Sequence, residues 1–579
     1  MRRERGRRLL LTIVALAAPA GALGPADVRA APAAAPPRDG RGLLPGDAAM
    51  VVRADPVEIE RAAAMVRALG GEVGLIANVV SLASATAIGF DALAAAGWGS
   101  IGIDVEQPVF VAIGAIDPTA AHALWHVRTV ARVADGRPFA DWARRTSLLR
   151  EPWRADRPVR GALASLLGLA GDPRAEAIAA RALTERGAIA VGVSPSFGAL
   201  LFVRRVGPYA AIDAFALAEI GRINWTRDGA AILARLDAPA RGAAMSERTG
   251  AGARALSRPG LVFWTRPEGL FDAAVAWSRP PASCEAFRAL AGQTALTDGA
   301  IAMRVAAGQV ALDVVWGAAP GAPLTSAWTT ADDGLLGPTL RRGAVLGASI
   351  YLAGTDRLRG IPRPELVQDG WMPLWRRARS CGRTARALLL GFAWPEITAQ
   401  WLGDVAAVSA PAARLVAAAR NIAFAGRRVS ASDRRAWQAV LEGSLAPGGM
   451  GPAESVLDAV FGGRRTTRRP RRHTAWDGGY LLPYTLSRGK RGGVIGVGIG
   501  DRARRWRLDQ PLSRPRRTAP RALARAAADG PALLRQLAAT LPPGRRAVAA
   551  AAAPRVGSVD VVMTVQPDGV KISATIRRR

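Results

Sequence analysis

Residues 301–316 read IAMRVAAGQVALDVVW and residues 561–576 read VVMTVQPDGVKISATI. In each, two runs of alternating apolar and polar residues flank a short turn, Gly308-Gln309 in the first and Pro567-Asp568-Gly569 in the second. Alternation with a period of two is the mark of a strand with two different faces, and Pro-Asp-Gly is strong turn chemistry because proline presets its φ and glycine accepts a positive one. Both stretches are therefore expected to be antiparallel hairpins. Met303-Arg304-Val305 and Val310-Ala311-Leu312 stand at the same mutual spacing as Met563-Thr564-Val565 and Val570-Lys571-Ile572. Two readings of this likeness stand side by side: an internal duplication, or two hairpins alike because hairpins must be.

Working outward, further strand-like runs fall at 109–113, 124–133, 188–193, 199–206 and 261–265, with helical patterns between them at 56–69, 139–149 and 174–184. Strands often follow one another directly while helices stand apart, which favours an α+β fold over strict alternation. The second half carries Ala/Leu/Arg-rich stretches at 364–390, 395–425 and 430–461, read as a helical block with start signals at Pro395, Ser430 and Pro452. The expected organisation is a signal peptide over 1–30, a flexible linker over 31–43, an α+β lobe over 44–317, a linker over 318–342 and a related α+β lobe over 343–579. The charge-free run Val73 to Phe90 contains Asn78, Ser81, Ser84 and Thr86 as well as Gly74 and Gly89, and reads as a buried or loop-associated helix rather than a membrane span.

The amino terminus points to export. Arg2, Arg3, Arg5, Arg7 and Arg8 precede an uncharged apolar stretch from Leu9 to Leu23, and Val28-Arg29-Ala30 supplies small residues where a signal peptidase cuts. The competing reading is a membrane anchor, but the stretch is shorter than the ~20 residues that span a bilayer and contains Pro19 and Gly21. An exported chain is expected in the periplasm or outside the cell. There Cys284 and Cys381, the two cysteines of the chain, meet oxidising conditions in which pairing is normal. A disulfide between them and a pair of buried free thiols are the two readings that spacing leaves open.

At Leu44-Pro45-Gly46-Asp47, leading into Val52-Arg53-Ala54-Asp55, the sequence resembles a group of uncharacterised exported bacterial proteins of unknown function. These open with a Leu-Pro-x-Asp turn and a strand ending in Val-x-Val-Asp. Gly89-Phe90-Asp91, then Gly102-Ile103-Asp104 and Gln107-Pro108-Val109, are similar to that group's glycine–hydrophobic–aspartate segment followed by a proline entering a strand. The resemblance implies an envelope location and an α+β build, and it implies no chemistry.

Groups arranged for chemistry are few. His122 and His126 are four apart but have no adjacent carboxylate or thiolate that would make a metal site, and His473 stands in an arginine-rich context. There is no G-x-S-x-G elbow. Gly496-Val497-Gly498-Ile499-Gly500 lies within a strand-like run and is not followed by a helix that could open over a phosphate. No cofactor is expected, and catalysis is less expected than binding.

Charge is the feature with a physical consequence. The chain carries a formal net charge of +32, and of its 78 basic residues only Lys490 and Lys571 are lysine. Between Arg464 and Arg525, eighteen Lys or Arg face Asp477, Asp501 and Asp509, which leaves +15 in this stretch. Arg464, Arg465, Arg468, Arg469, Arg471 and Arg472 cluster in what reads as a loop over 464–473, and Arg504 and Arg505 adjoin Trp506. Guanidinium groups bind phosphate and carboxylate bidentately, so these residues are candidate anion-binding positions for anionic lipid, lipopolysaccharide or a cell-wall polymer. An exported address makes nucleic acid the least expected partner. The bland counterpart is a solvated basic loop in an arginine-biased chain. The expected function is a non-catalytic envelope protein that binds or scaffolds another envelope component, with an extracytoplasmic hydrolase of unrecognised site as the alternative.

Overall fold

The computed structural model describes most of residues 39–266, 296–319 and 522–578, and between these the stretches 337–338, 345–351, 410–428, 437–445, 451–453, 464–468, 473–477, 483–489, 492–499 and 513–514, with residue 455. Cys284, Cys381, residues 1–38 and the stretch 364–390 expected to be helical lie outside the described residues. The chain divides into two compact units: among the described residues, the first holds those up to Arg266 together with Asp298–Val305, and the second holds Leu296, Thr297 and those from Ala306 onward.

In the first unit the strands are β1 (Met50–Ala54), β2 (Val109–Ala115), β3 (Leu124–Arg132), β4 (Arg150–Trp153), β5 (Ala188–Ser194), β6 (Ala199–Val206), β7 (Tyr209–Leu217), β8 (Leu261–Thr265) and β9 (Leu296–Ala306). They pair antiparallel throughout, in the order β9-β8-β1-β2-β3-β7-β6-β5-β4. The helices are α1 (Pro56–Leu69), α2 (Gly71–Ile88), α3 (Ala95–Ser100), α4 (Gly136–Arg145), α5 (Pro173–Glu185), α6 (Trp225–Leu236) and α7 (Ala251–Ala255).

Both faces of this sheet are covered. On one, Ile88, Phe90, Trp98, Phe139 and Trp142 pack against Leu201, Val203, Ile212 and Ala214. On the other, Ile178, Ala182, Ile232 and Leu236 from α5 and α6 pack against Val191, Val193, Leu200, Phe202 and Phe215. Strands enclosed on both sides need apolar residues on both faces, which is why β2 and β6 read as near-continuous apolar runs. Gly40–Leu43 form a 3-10 turn capped by the Asp39 side chain, with Gly40 and Leu43 buried. The linker expected through residue 43 therefore gives way to packed structure four residues earlier.

In the second unit the strands are β10 (Gln309–Ala318), β11 (Gly337–Pro338), β12 (Leu346–Tyr351), β13 (Ala419–Arg428), β14 (Trp437–Leu445), β15 (Arg464–Arg468), β16 (His473–Asp477), β17 (Pro483–Gly489), β18 (Gly492–Ile499), β19 (Ser513–Arg514), β20 (Ala522–Asp529), β21 (Val556–Gln566) and β22 (Gly569–Arg578), with helices α8 (Ala410–Ala418) and α9 (Gly530–Ala538). β11 and β19 form a small pair of their own. The others run antiparallel in the order β10-β22-β21-β20-β12-β13-β14-β18-β17-β16-β15.

The expectation of an α+β fold built of two related lobes, with a helical block in the second half, is overturned. Taken together, the described residues hold more antiparallel strand than helix, and the sheet is not closed. Of the stretch 395–425 only α8 is described as helical, and the chain turns directly into β13 at Ala419. Within 430–461, residues 437–445 are strand. The reason is visible in β13, ARNIAFAGRR: Ile422 and Phe424 alternate with small or polar residues, and a two-sided pairing with β12 and β14 outweighs the helix propensity of its alanines. The supposed loop 464–473 is likewise largely strand, with β15 and β16 paired from Arg464↔Asp477 to Arg468↔His473.

Candidate functional site

The sequence signal that matters most in the first unit is a charged residue in the middle of an apolar strand. It occurs three times, as Arg128 in LWHVRTVAR, Arg204 in ALLFVRRV and Asp213 in YAAIDAFAL. β3, β7 and β6 are consecutive neighbours, and the register sets Arg128 directly across from Asp213. Asp213 is fully buried at 0% exposure, and Arg128, Arg204 and His126 are buried around it.

One carboxylate oxygen accepts from Arg128 Nε at 2.6 Å and lies 2.8 Å from His126 Nε2. The other accepts from Arg204 Nε at 2.9 Å and Nη2 at 2.7 Å. Burial would raise the Asp213 pKa, but Arg128 and Arg204 outweigh it and hold the carboxyl well below the usual range. Burial, opposed by Asp213 and reinforced by Arg128, pushes the His126 imidazole down to about 4. His126 is thus neutral near pH 7, with its proton on Nε2 donated to the carboxylate, and its ring stacks on Phe215 at 4.8 Å between centroids.

Arg128 has a second task. Its Nη1 donates to the carbonyl of Leu43 at 2.9 Å, and its Nη2 donates to the carbonyl of Arg235. The last carbonyls of a helix lack intrahelical partners and carry partial negative charge, so a guanidinium at the end of α6 satisfies both needs. One side chain thereby ties β3 to α6 and to the 3-10 turn at Leu43. Two cations, one anion and a neutral imidazole leave the cluster with an excess positive charge, which these carbonyl dipoles offset. The arrangement is closed to solvent, and its polar groups are engaged with one another, so its chemistry is that of a clamp rather than of a reaction centre.

The motif residues also find structural work. Asp47 receives both terminal nitrogens of Arg235, at 2.7 and 2.5 Å. Asp55 receives Arg53 Nε at 3.0 Å and the Gly260 amide at 2.6 Å, joining the end of β1 to the turn before β8. Gly102 has φ +82°, and a Cβ there would collide with the Asp135 carbonyl oxygen. Asp298 on β9 accepts from the amides of Gly252 and Ala253 and from Trp264 Nε1. The charge-free run, expected to be a buried or loop-associated helix, forms α2, in which Leu75, Val79 and Leu82 are 60%, 55% and 71% exposed along one stripe.

Of the candidate anion-binding arginines, Arg464, Arg465 and Arg468 lie on β15, the last strand of the described order in the second unit. Arg469, Arg471, Arg472, Arg504 and Arg505 lie outside the described residues, as does His122. His473 opens β16 opposite Arg468, and Gly496, Val497 and Gly498 lie within β18 as expected. Among the described residues no group of three or more His, Cys, Asp or Glu is placed to hold a metal, and no helix is long and apolar enough to cross a membrane.

Fold and site together define an open antiparallel-sheet protein whose first unit is enclosed by helices and locked by a buried Arg–Asp–Arg–His cluster. Compared with protein-family models, curated proteins and solved structures, the chain matches none.

Proposed function

We propose that this is a non-catalytic exported protein of the cell envelope, which binds or scaffolds another envelope component by contact with an anionic surface. The observation that carries the reading is the +15 concentrated between Arg464 and Arg525. Lipopolysaccharide, anionic lipid and cell-wall polymers share the phosphate or carboxylate groups that guanidinium forks match. The buried cluster of the first unit supports a binding rather than a catalytic role, because its ionisable groups are consumed in holding sheet, helix and turn together. A charged surface acting at long range is screened by salt, with a Debye length of about 8 Å at physiological ionic strength.

The test is co-sedimentation of the full chain with phosphatidylglycerol vesicles and with phosphatidylcholine vesicles over a salt series. Binding to the anionic vesicles alone, falling as salt rises and weakened by Arg464→Gln, Arg465→Gln and Arg468→Gln together, is the expected result. Equal indifference to both vesicles overturns the proposal.

A further inference from the structure

In α2 of the first unit, Leu75, Val79, Leu82 and Thr86 follow one another at intervals of four, three and four residues, which sets them in one line along the helix. Leu75, Val79 and Leu82 are each more than half exposed. Thr86 is exposed as well, and its hydroxyl donates back to the Leu82 carbonyl at 2.8 Å. Ala83 and Ala85 beside this line are also exposed, and no residue from Val73 to Ile88 carries an ionisable side chain. The other side of the helix is committed to the protein, with Ala77, Ser84 and Ile88 buried.

Other helices of this unit finish their outer faces with charge. α5 exposes Arg174, Arg181 and Glu185, the last two paired, and α4 carries the pair Asp141–Arg144 at its surface. α2 instead presents apolar side chains with a cation held at their flank. Arg67, in the last turn of α1, donates through Nε to Oδ1 of exposed Asn78 at 3.2 Å. Asn78 stands one turn from both Leu75 and Leu82, so the guanidinium lies beside the apolar line. Neighbouring acids are spent within the protein: Glu58 pairs with Arg61, Glu60 accepts from the Ala95 amide, and Asp91 accepts from Ser81 Oγ and the Leu93 amide. An uncharged apolar line with a guanidinium alongside matches a bilayer interface, where acyl chains begin beneath a layer of phosphates. A second copy of the chain matches it less well. A stable protein interface takes about 800 Å² from each partner, more than two Leu side chains and one Val can supply.

We infer that α2 lies in the plane of an anionic membrane surface, with Leu75, Val79 and Leu82 dipping below the headgroups and Arg67 at the level of the phosphates. The helix lies along the membrane and does not cross it: its inner side is packed into the protein, and among the described residues no helix is long and apolar enough to span a bilayer. The choice of an anionic lipid rests on the anionic-surface reading above. The apolar contact rests on α2 alone.

The experiment places the full chain with phosphatidylglycerol vesicles over a salt series and beneath a phosphatidylglycerol monolayer, and compares it with a variant that combines Leu75→Ser, Val79→Ser and Leu82→Ser. All three sites are exposed, so the urea midpoint of the variant should stay near that of the unaltered chain, and a loss of binding is then not a loss of fold. The unaltered chain should raise the surface pressure of the monolayer, and the variant should not. Vesicle affinity of the variant should fall about tenfold at every salt concentration with its salt dependence unchanged, because apolar contact is not screened. Arg67→Gln should lower affinity about fivefold at low salt, the worth of one basic residue near an anionic surface. Vesicle binding without a rise in surface pressure, or with equal affinity for the variant and the unaltered chain, overturns the inference and leaves the proposed function standing. Binding weakened in the serine variant but indifferent to the Arg464, Arg465 and Arg468 substitutions upholds the inference and overturns the role given to the basic stretch. A lipid-free dimer of the unaltered chain that the serine variant fails to form, seen by analytical ultracentrifugation, overturns the inference, since the stripe is then an interface between copies. No binding to vesicles at any salt overturns both readings.

Discussion

Arg128 on β3 and Asp213 on β7 face each other across one register position, with Nε donating to the carboxylate at 2.6 Å in a setting that excludes water. Arg204 and His126 complete the shell of that carboxylate, so Asp213 is the single anion on which three strand residues and, through Arg128, the end of α6 depend.

Asp213→Asn preserves shape and removes the charge. It leaves two guanidinium groups buried without a counter-ion, a change that costs about 3–5 kcal/mol when one partner of a buried pair is lost. Urea denaturation should show a midpoint well below that of the unaltered chain. Replacing Arg204 and Asp213 together by Leu should cost less than Asp213→Asn alone, because one uncompensated guanidinium, that of Arg128, then remains buried instead of two.

His126 makes stability depend on mild acid. Its folded-state pKa is depressed to about 4, chiefly by burial, against an unfolded value near 6.5. Between those values the unfolded chain takes up the proton first, so the stabilisation present above about pH 6.5 is lost as pH falls towards 4, by up to about 3 kcal/mol. Asp213, also depressed, adds its own loss at still lower pH. Urea midpoints at pH 7 and pH 4.5 should differ strongly for the unaltered chain and less for His126→Gln, whose amide still donates to Asp213.

Three glycines with positive φ separate strain from collision. Gly308, in the turn between β9 and β10, has φ +79° and open space where a methyl group would stand. Gly308→Ala should therefore cost only the left-handed backbone penalty of about 1–2 kcal/mol. Gly102→Ala and Gly569→Ala drive a Cβ into the carbonyl oxygens of Asp135 and Trp316 respectively. Thermal melts should rank both far below Gly308→Ala.

The exposed stripe on α2 contributes little to folding. Leu82→Ser should change stability by no more than about 0.5 kcal/mol. Trp98 is buried close by, with its indole donating to the Ala92 carbonyl at 2.9 Å and its ring edge-on to Phe90, and Trp98→Ala should cost about 3–5 kcal/mol. Parallel urea titrations of the two variants give the comparison.

Much of the first unit is legible residue by residue. The pattern at 56–69 is α1, the run at 261–265 is β8, and the stretches 301–316 and 561–576 each run from strand through turn to strand, with glycine at positive φ in each turn. The second half misleads where alanine and arginine dominate. Those residues favour helix locally, and only their alternation, as in β13 and β20, betrays a strand. The clamp is not legible as a set. Each charged residue announces itself inside an apolar strand, but His126 and Asp213 are 87 positions apart, and nothing local says that they meet.

The sequence by itself determined where this chain turns, which strands have two unlike faces, and where its positive charge is concentrated, because these depend on neighbouring residues and on composition. Only the tertiary structure decided which strands adjoin, and so that Asp213 gathers two arginines and a histidine, and that Leu312, Ala574 and Val561 stand at one register position across β10, β22 and β21. Strand order joins residues distant in the chain by hydrogen bonds between backbones, which every residue type but proline offers alike; the pairing that buries charge against charge and apolar against apolar is selected by the fold as a whole.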